Sequence, residues 1–358
     1  MKKTHRILAI NVGSTSTKVA FFEDAKAVAQ ETISYSSQEL AGYGELRDQL
    51  PRRRQDVAAF MKKNGIAPDR LDIIISRGGL GKPGPAGAYI IDEAMCDDLL
   101  AGRFGKHPSA LGPAIALDMS RSSGIRAIII DPPSTDEFEP LARISGIPDI
   151  ERKSAFHALN QKAAARKAAE AMGKSYESVN FIVAHLGGGI TIGAHRRGRV
   201  IDCTHGLSEG PFSPERAGTL PTLELVELVQ SAKHAPRDLQ RKLVGQGGLA
   251  AYLGTTDAVA VESAIEKGDE RAASIYQAMA YQIAKDIGAM AAVLNGEVDG
   301  IVLTGGLAHS KRLVDWIRSR VLFIAPVFLH PGEDEMEALA QGALRVLLDQ
   351  GKELRPYR

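Results

Sequence analysis

The sequence contains two copies of one pattern, in which an apolar strand leads into a turn rich in glycine or hydroxyl groups and then into a second strand. The first copy, ILAINVGSTSTKVAFFED, spans residues 7–24, and the second, FIVAHLGGGITIGAHRRGRVID, spans 181–202. Superposition pairs Asn11 with His185, Gly13 with Gly187 and Ser14 with Gly188. The identity is slight, but the shared order of elements predicts an internal duplication of one folding unit.

Short apolar runs and helical patterns alternate around both copies, which predicts an α/β fold that begins with a three-strand meander. The predicted strands are 7–12, 19–23, 29–34, 72–76, 127–131, three strands within 181–202, 299–306 and 323–329. The predicted helices are 37–50, 55–64, 93–101, 109–122, 155–172, 220–230, 237–244, 257–294, 310–321 and 335–350.

The chain of 358 residues is about twice the length of a typical single domain, so we expect two domains. We assign 1–156 to an N-terminal lobe that the last helix, 335–358, packs against. The C-terminal lobe is then 157–334, and the Ala-rich helix 155–172 crosses from one lobe to the other.

Composition and charge exclude several classes of protein. A net charge of +1 gives no general attraction to nucleic acid or anionic membranes, and we interpret Arg52–Arg54 as a solvated helix face. Cys96 and Cys203 alone do not make a disulfide framework and fit a reducing cytoplasm. The first apolar run ends at Asn11, too early for a signal peptide, and charges interrupt the apolar helix 280–294. We therefore expect a cytoplasmic protein with neither membrane nor nucleic-acid partners.

Two segments match or resemble nucleotide-binding motifs letter by letter, but their neighbouring residues do not predict the structure that those motifs need. GLGKPG at 79–84 should open a helix, but Pro83 and Pro85 oppose one. GKS at 173–175 follows a predicted helix instead of preceding one, and Ala168 stands where a P-loop has its first glycine.

Three other turns suit a ligand with many negatively charged oxygens. They are 13–18, with glycine, hydroxyls and a lysine, 187–189, with three glycines, and 304–306, the sequence TGG. Glycine lets backbone N–H groups approach phosphate oxygens closely. Any one of these turns alone is more often purely structural, but each follows a predicted buried strand. Together they predict a nucleotide site.

The ordered motifs of the chain resemble those of the acetate kinase family. The motifs are INVGSTSTK, SRGGLGKP, FHALNQKAAAR, VAHLGGGITIGAHRRGRVID, GPFSPERAGTLP and VLTGGLAHS, and they span nearly the whole chain. Two departures from the acetate kinase pattern are present: Arg77-Gly78-Gly79 replaces His-Gly-Gly, and Gly188 replaces an asparagine between two glycines. The second departure favours the branch of the family that acts on butyrate or branched-chain acids.

The resemblance implies an α/β fold of two duplicated actin-like ATPase lobes, of the ribonuclease H-like type, around a nucleotide cleft. It implies direct in-line transfer of the γ-phosphoryl group of ATP to a short-chain carboxylate, with Mg²⁺ as cofactor. It further implies a homodimer or a higher homo-oligomer. Butyrate, isobutyrate, acetate and propionate all remain open as the acid.

The resemblance also assigns roles to individual residues. Arg216 would grip the transferring phosphoryl group, since guanidinium offers paired donors where lysine offers a point charge. Arg77 would contact the acid or the phosphoryl group, and Lys82 is either a further anion contact or a solvated side chain. The remaining matches are His185, His157 and His107 near the reacting groups, and Asp131 and Glu335 as magnesium ligands through water, with Asp202 as a weaker candidate.

The nucleotide contacts follow from the three turns. The first turn would contribute Asn11, Gly13, Ser14, Ser16 and Lys18, the second Gly187, Gly188 and Gly189, and the third Gly305 and Gly306 next to the adenosine. Alternation along the chain should direct Ser14 and Ser16 to the ligand and turn Thr15 and Thr17 away.

Two other functions remain open. A chaperone- or actin-like ATPase would need a peptide-binding domain or filament surfaces, and we expect no room for a substrate domain in a chain that ends at Arg358. A sugar kinase would need a polar pocket and a carboxylate base, whereas the arginines near the expected cleft fit an anionic acceptor better.

Overall fold

The computed structural model describes residues 3–352 and 354–357. In this part of the chain the strands are β1 Arg6–Val12, β2 Ser16–Glu23, β3 Lys26–Ser34, β4 Ile73–Ser76, β5 Ala88–Ile90, β6 Ala127–Ile130, β7 Asn180–Leu186, β8 Ile190–Arg196, β9 Arg199–Cys203, β10 Gly300–Gly305 and β11 Val327–Pro331. The α-helices are α1 Ser37–Ala41, α2 Leu50–Lys63, α3 Glu93–Ala101, α4 Leu111–Ser123, α5 Pro140–Arg143, α6 Ala158–Ala171, α7 Thr222–Gln230, α8 Pro236–Leu243, α9 Gly248–Leu253, α10 Ala258–Glu266, α11 Glu270–Val293, α12 Lys311–Val321 and α13 Glu335–Leu348.

The chain divides into two compact units, here called the N unit and the C unit. The N unit combines Met1–Thr135 with Asp334–Arg358, and the C unit is Asp136–Glu333. The segment 136–156, which we predicted for the N-terminal lobe, therefore belongs to the C unit. Two contacts hold it there, because Glu139 N donates to the carbonyl of Ile201 and the Glu137 carboxylate accepts from Val200 N.

The N unit is built on a sheet with the strand order β3-β2-β1-β4-β6-β5. Alternate residues of β1, such as Leu8 and Ile10, pack in a buried cluster with residues of α2, α3 and α4. Helix α13 packs against β1, β2, β4 and β6. The hydrogen bond from Asn11 to Glu335 places this helix on the other face of the sheet, as alternation along β1 requires.

The C unit has the sheet order β11-β10-β7-β8-β9. Ile182 and Ala184 of β7 face a large cluster that includes α11 and α12, while Phe181 and Val183 face α6. Helix α6 thus lies within the C unit, and the prediction that it crosses between lobes is wrong. The strand β7 is apolar on both faces because helices cover both sides of the sheet.

The duplication is confirmed by topology. Each sheet begins with an antiparallel meander, β1-β2-β3 or β7-β8-β9, and adds a parallel strand, β4 or β10, beside its first strand. The predicted tight turn between β8 and β9 is also present, and both of its residues, Arg197 and Gly198, have positive φ. This conformation matches the twist of an antiparallel hairpin.

Several predicted elements differ from the observed ones. The predicted helix 37–50 stops at Ala41, and after Gly42 and Gly44 only a 3₁₀ turn, Leu46–Gln49, precedes α2. The predicted helix 257–294 is two helices, since Gly268 takes φ +91° between α10 and α11. The strand expected at 323–329 begins only at Val327. Strand β5 and helix α9 were not predicted, and both are short. Within the described residues, no helix is both long enough and apolar enough to span a bilayer.

The basic cluster Arg52–Arg54 is not a uniformly solvated face. Arg53 is 1% exposed, and its guanidinium donates to the carbonyl oxygens of Ser14 and Ser16 and to Thr17 Oγ1. Burial lowers the Arg53 pKa from its usual value. Arg53 therefore fixes the turn between β1 and β2 from behind, a role that its sequence context did not reveal.

We expect Arg53→Ala to lower the free energy of unfolding by about 3 kcal/mol or more, because buried acceptors would lose their donors. Arg52→Ala is the matched control, since Arg52 lies on the same helix with an exposed side chain, and it should lower the free energy of unfolding far less. Urea denaturation of both variants tests this. Equal losses for the two variants would contradict the structural role of Arg53.

Candidate functional site

In the N unit, a carboxylate on α13 joins residues from two neighbouring strands. Glu335 Oε2 accepts a hydrogen bond of 2.6 Å from Asn11 Nδ2 at the end of β1. Its other oxygen, Oε1, lies 3.3 Å from Arg77 Nη1, just after β4. Glu335 is the first residue of its helix, where the helix dipole favours a negative charge. Asn11, Arg77 and Glu335, all predicted site residues, thus form one cluster.

His107 belongs to the same cluster through its electrostatics. Burial is the main cause that lowers its pKa, the Arg77 charge lowers it further, and Glu335 partly opposes them. The ring nitrogen Nδ1 accepts a hydrogen bond from Ser109 N at 3.2 Å, which orients the ring at the start of a 3₁₀ turn. His107 is therefore a neutral ring next to an arginine.

The turn between β1 and β2 contributes further donors to this face. Lys18 is the antiparallel partner of Asn11, so both side chains point to the same side of the sheet. Gly13 N donates to the carbonyl of Ser16 and closes the turn, while Ser14 is exposed. Thr17 is fully buried on the opposite face, as we expected of it.

Asp131 follows β6 and is 2% exposed. Its backbone has φ +41°, which is unusual for a residue other than glycine, and its Oδ1 accepts from Gly87 N at 2.9 Å. Strained backbone of this kind clusters at functional sites. Lys82, by contrast, is exposed, and its backbone N–H donates to the Tyr357 hydroxyl.

In the C unit, the turn 187–189 lies against Arg216. Ser213 Oγ donates to the carbonyl of Gly188 at 2.5 Å, and Arg216 N donates to Ser213 Oγ at 3.2 Å. A Cβ atom at Gly189 would collide with the Arg216 guanidinium. A side chain at position 189 would therefore displace the Arg216 guanidinium from its place over the turn.

The guanidinium of Arg216 is poorly solvated. Its Nη1 donates to the carbonyl of Gly206 at 2.5 Å, and its Nη2 lies 4.0 Å from Glu215 Oε1. Its Nε is buried and has no hydrogen-bond partner among the described residues. Burial lowers the Arg216 pKa from its usual value, against the opposing charge of Glu215. A buried cationic donor without a partner is a place where an anion would be stabilised.

His157 and His185 form a stacked pair in the same unit. Their ring centroids lie 3.8 Å apart with an interplanar angle of 13°. His185 Nδ1 lies 2.6 Å from Asn160 Oδ1, and His185 Nε2 lies 3.0 Å from Glu333 Oε1. A Cβ atom at Gly187 would contact both this Glu333 oxygen and His185 Nε2, so the glycine makes room for the contact between them.

Sequence reasoning missed Asn160 and Glu333. Asn160 lies in the quoted motif FHALNQKAAAR, and Glu333 lies two residues before the predicted site residue Glu335. Both place an oxygen next to His185. The signal that could have found them is the rule that a buried histidine usually bonds at both ring nitrogens.

The third glycine turn, 304–306, has a mainly structural role at its first glycine, Gly305. Gly305 has φ +88°, and a Cβ there would collide with the backbone of Leu186. The backbone that approaches Gly305 is thus that of β7. Gly306 differs, since a Cβ there would meet no described atom within 4 Å.

Asp202, the weaker candidate, lies in a charged network instead of facing the turn 187–189. Arg152 Nη1 donates to Asp202 Oδ1 at 3.0 Å, and Arg152 also pairs with Glu209. Burial raises the Asp202 pKa, which Arg152 opposes. These contacts support a structural role for Asp202.

The described residues include no group of three or more His, Cys, Asp or Glu side chains that could hold a metal ion directly. Glu335 already accepts from Asn11 and faces Arg77, and Asp131 accepts from Gly87 N. Magnesium commonly keeps several waters and uses one or two carboxylates together with phosphates. The two acids therefore fit water-mediated contact better than a direct protein cage.

The two-sheet α/β fold is that of acetate and propionate kinases. Acetate kinase from Porphyromonas gingivalis matches with TM-score 0.78 and 18% identity over 96% of this chain and 100% of that one. Propionate kinase from Francisella tularensis matches with TM-score 0.74 and 18% identity, over 94% of this chain and 98% of that one. Acetate kinase from Entamoeba histolytica matches with TM-score 0.74 and 17% identity, over 98% of this chain and 99% of that one. At such identities the likeness establishes the fold.

A separate comparison concerns the sequence. Residues 149–322, just under half of the chain, match the Acetokinase family. The matched segment includes the glycine turn 187–189, both stacked histidines and Arg216.

The lowered pKa of His107 predicts a pH dependence of stability. Below about pH 6.5 the unfolded chain takes up a proton at this ring more readily than the folded chain. The contribution of His107 is therefore present above that pH and is lost as pH falls toward the pKa of the folded state. We expect the free energy of unfolding of His107→Gln to fall less steeply between about pH 7 and 5 than that of the unmodified chain.

Urea denaturation at several pH values measures these slopes. His309→Gln, at an exposed position, is the control and should retain the original slope. A His107→Gln slope equal to that of the unmodified chain would refute the prediction.

Proposed function

We propose that the protein is an ATP-dependent carboxylate kinase, with butyrate as its preferred acid. The observation that carries the proposal is the buried Arg216 guanidinium, which lies across a glycine turn with its Nε unpartnered among the described residues. The family match of 149–322 and the acetate kinase fold support the same reaction class.

The reaction has one main electrostatic difficulty. An anionic carboxylate oxygen must attack the γ-phosphorus of ATP, forming the acyl phosphate P–O bond while the bond to the β-phosphate oxygen breaks and ADP leaves. Catalysis then depends on positioning and on fixed donors that offset the repulsion between the two anions. In the C unit, Arg216 would bind the transferring group, and the backbone N–H groups of 187–189 would contact the other phosphates.

The N unit offers groups suited to the acid and the metal. Arg77 would bind the carboxylate of the acid, and Glu335 holds the arginine in place through their ion pair. His107, whose pKa is lowered, would supply a neutral ring at this position. Mg²⁺, held through water by Asp131 and Glu335, would neutralise phosphate charge when bound.

The choice of butyrate depends on the resemblance. Gly188 replaces the asparagine of acetate kinases, which removes one side-chain contact and leaves the backbone to bind phosphate. Acetate, propionate, butyrate and isobutyrate differ by one or two methylene or methyl groups, each of which is worth roughly 1–3 kcal/mol of discrimination. The alternative acids therefore belong in the same experiment.

Trapping of acyl phosphate by hydroxylamine tests the reaction and the acid together. With ATP and Mg²⁺, we expect acyl hydroxamate from the C2 to C5 acids, with the highest kcat/KM for butyrate. A higher value for acetate or propionate would correct the acid only. If ATP is hydrolysed and no acid yields hydroxamate, the protein is instead an ATPase of the actin or chaperone kind.

Two substitutions test the role of Arg216. Arg216→Ala should lower kcat by about 10³-fold or more, the range known for arginines that stabilise phosphoryl transfer, while ATP still binds. Gly189→Ala should displace the guanidinium and cost about 10²-fold. The control is Gly288→Ala in α11, where a Cβ meets no described atom within 4 Å. Near-normal turnover in folded Arg216→Ala would remove this residue from the mechanism.

A further inference from the structure

A chain of polar side chains lies behind the stacked histidines. Tyr176 Oη lies 2.8 Å from His195 Nδ1, and His195 Nε2 lies 3.0 Å from Gln161 Oε1. Gln161 Nε2 lies 2.9 Å from Thr191 Oγ1, which in turn lies 2.9 Å from His157 Nδ1. The three middle residues, His195, Gln161 and Thr191, are 0% exposed. Polar groups this deeply buried must satisfy one another.

A backbone carbonyl fixes the orientation of the Gln161 amide. The terminal atom of this side chain that lies 3.0 Å from the carbonyl oxygen of Thr191 must be the NH₂ group, because a carbonyl oxygen only accepts. The amide oxygen therefore faces His195, which must donate from Nε2. His195 Nδ1 then accepts from the Tyr176 hydroxyl. Burial, together with the Lys162 and Arg166 charges, lowers the His195 pKa well below its usual value, as a neutral ring requires.

The same amide determines the direction of the next bond. Its NH₂ group also donates to Thr191 Oγ1, so this oxygen acts as an acceptor toward Gln161. The hydroxyl hydrogen of Thr191 needs an acceptor of its own. Of its remaining hydrogen-bond contacts with described residues, the backbone N–H of His157 is a donor, and His157 Nδ1 is the one that can accept. Nδ1 of a neutral His157 is thus unprotonated, and its proton lies on Nε2.

A glycine within strand β8, Gly193, leaves space for this network. A Cβ at Gly193 in β8 would contact Gln161 Oε1, and it would lie 3.2 Å from His195 Nε2. Glycine weakens a strand interior and often marks a close approach of other groups. Here the approaching groups are the two members of the network that set its direction.

We propose that Tyr176, His195, Gln161 and Thr191 are positioning residues that hold His157 as the neutral Nε2–H tautomer. The stacked partner, His185, has both ring nitrogens within hydrogen-bond distance of acceptors, Nε2 of the Glu333 carboxylate and Nδ1 of the Asn160 oxygen. A neutral His157 also avoids the repulsion that two charged rings with centroids 3.8 Å apart would produce.

The catalytic use of this arrangement rests on the proposed function. In phosphoryl transfer, the Nε2–H of a neutral His157 would be a donor for an anion. The charged groups near the network are Lys162 and Arg166 at His195, Glu137 paired with Lys162, and Glu333 at His185.

Nitrogen-15 NMR of the full-length chain, labelled at histidine, tests the proton positions directly. Resonances are assigned with His157→Gln and His195→Gln variants. At about pH 7 we expect both His157 and His195 to carry the proton on Nε2 and to have Nδ1 unprotonated. A proton on His157 Nδ1, alone or together with one on Nε2, would overturn the proposal.

Kinetics test the consequence for turnover. Thr191→Val removes the hydroxyl and should lower kcat for acyl phosphate formation at least tenfold, with KM for ATP unchanged. This bound lies below the roughly 10²–10⁴-fold that a positioned proton-transferring group contributes, because His157 itself is retained. Thr191→Ser should restore kcat. Thr204→Val is the matched control, because Thr204 Oγ1 accepts from Ile192 N on the same sheet. Unchanged kcat in folded Thr191→Val would refute the positioning role.

The two measurements separate this inference from the proposed function. The spectra need no turnover, so they confirm or refute the proton positions in any case. A chain that phosphorylates no acid would refute the kinase assignment and the catalytic use of the network, even with the expected tautomers.

Discussion

The candidate site of the C unit depends on the close approach of the Arg216 guanidinium to the backbone turn 187–189. Arg216 crosses over Gly189 at a distance that no side chain at position 189 would allow. The arrangement buries a guanidinium whose pKa is lowered by the loss of water. Such a desolvated charge binds an incoming anion more strongly than a solvated one, because water no longer competes. The glycine turn and the arginine therefore act as one element.

In the N unit, a carboxylate, and not a glycine turn, holds the arginine of the candidate site. Glu335 lies at the first turn of α13 and accepts from Asn11 while it faces Arg77, so one carboxylate connects the ends of β1 and β4. The carboxyl ends of neighbouring parallel strands are the usual place for a ligand site in an α/β sheet. Arg53 adds support from the other face, since it binds the backbone of the β1–β2 turn.

Arginines in this chain illustrate how little a residue type alone reveals. Arg53, Arg152 and Arg216 are all at least partly buried, yet the first orders a turn, the second neutralises two acids, and the third has an unpartnered Nε among the described residues. A buried arginine whose donors are all used stabilises structure, whereas an unused donor indicates a ligand. Only the tertiary contacts distinguish these cases.

The sequence by itself determined the α/β class, the duplicated meander and most element positions, since these follow from local periodicity and from turns such as Arg197-Gly198. It also placed glycine where charged side chains come close, although Gly305 proved to accommodate the neighbouring strand. Its failures were the break at Gly268, the unit to which 136–156 belongs, and the burial of Arg53.

Tertiary structure alone decided which distant residues meet. Asn11 and Glu335 are more than 300 positions apart, and the Thr191 carbonyl on β8 fixes the orientation of the Gln161 amide on α6. Local pattern cannot encode such pairs, because periodicity reports which face of an element is buried and not what lies against that face.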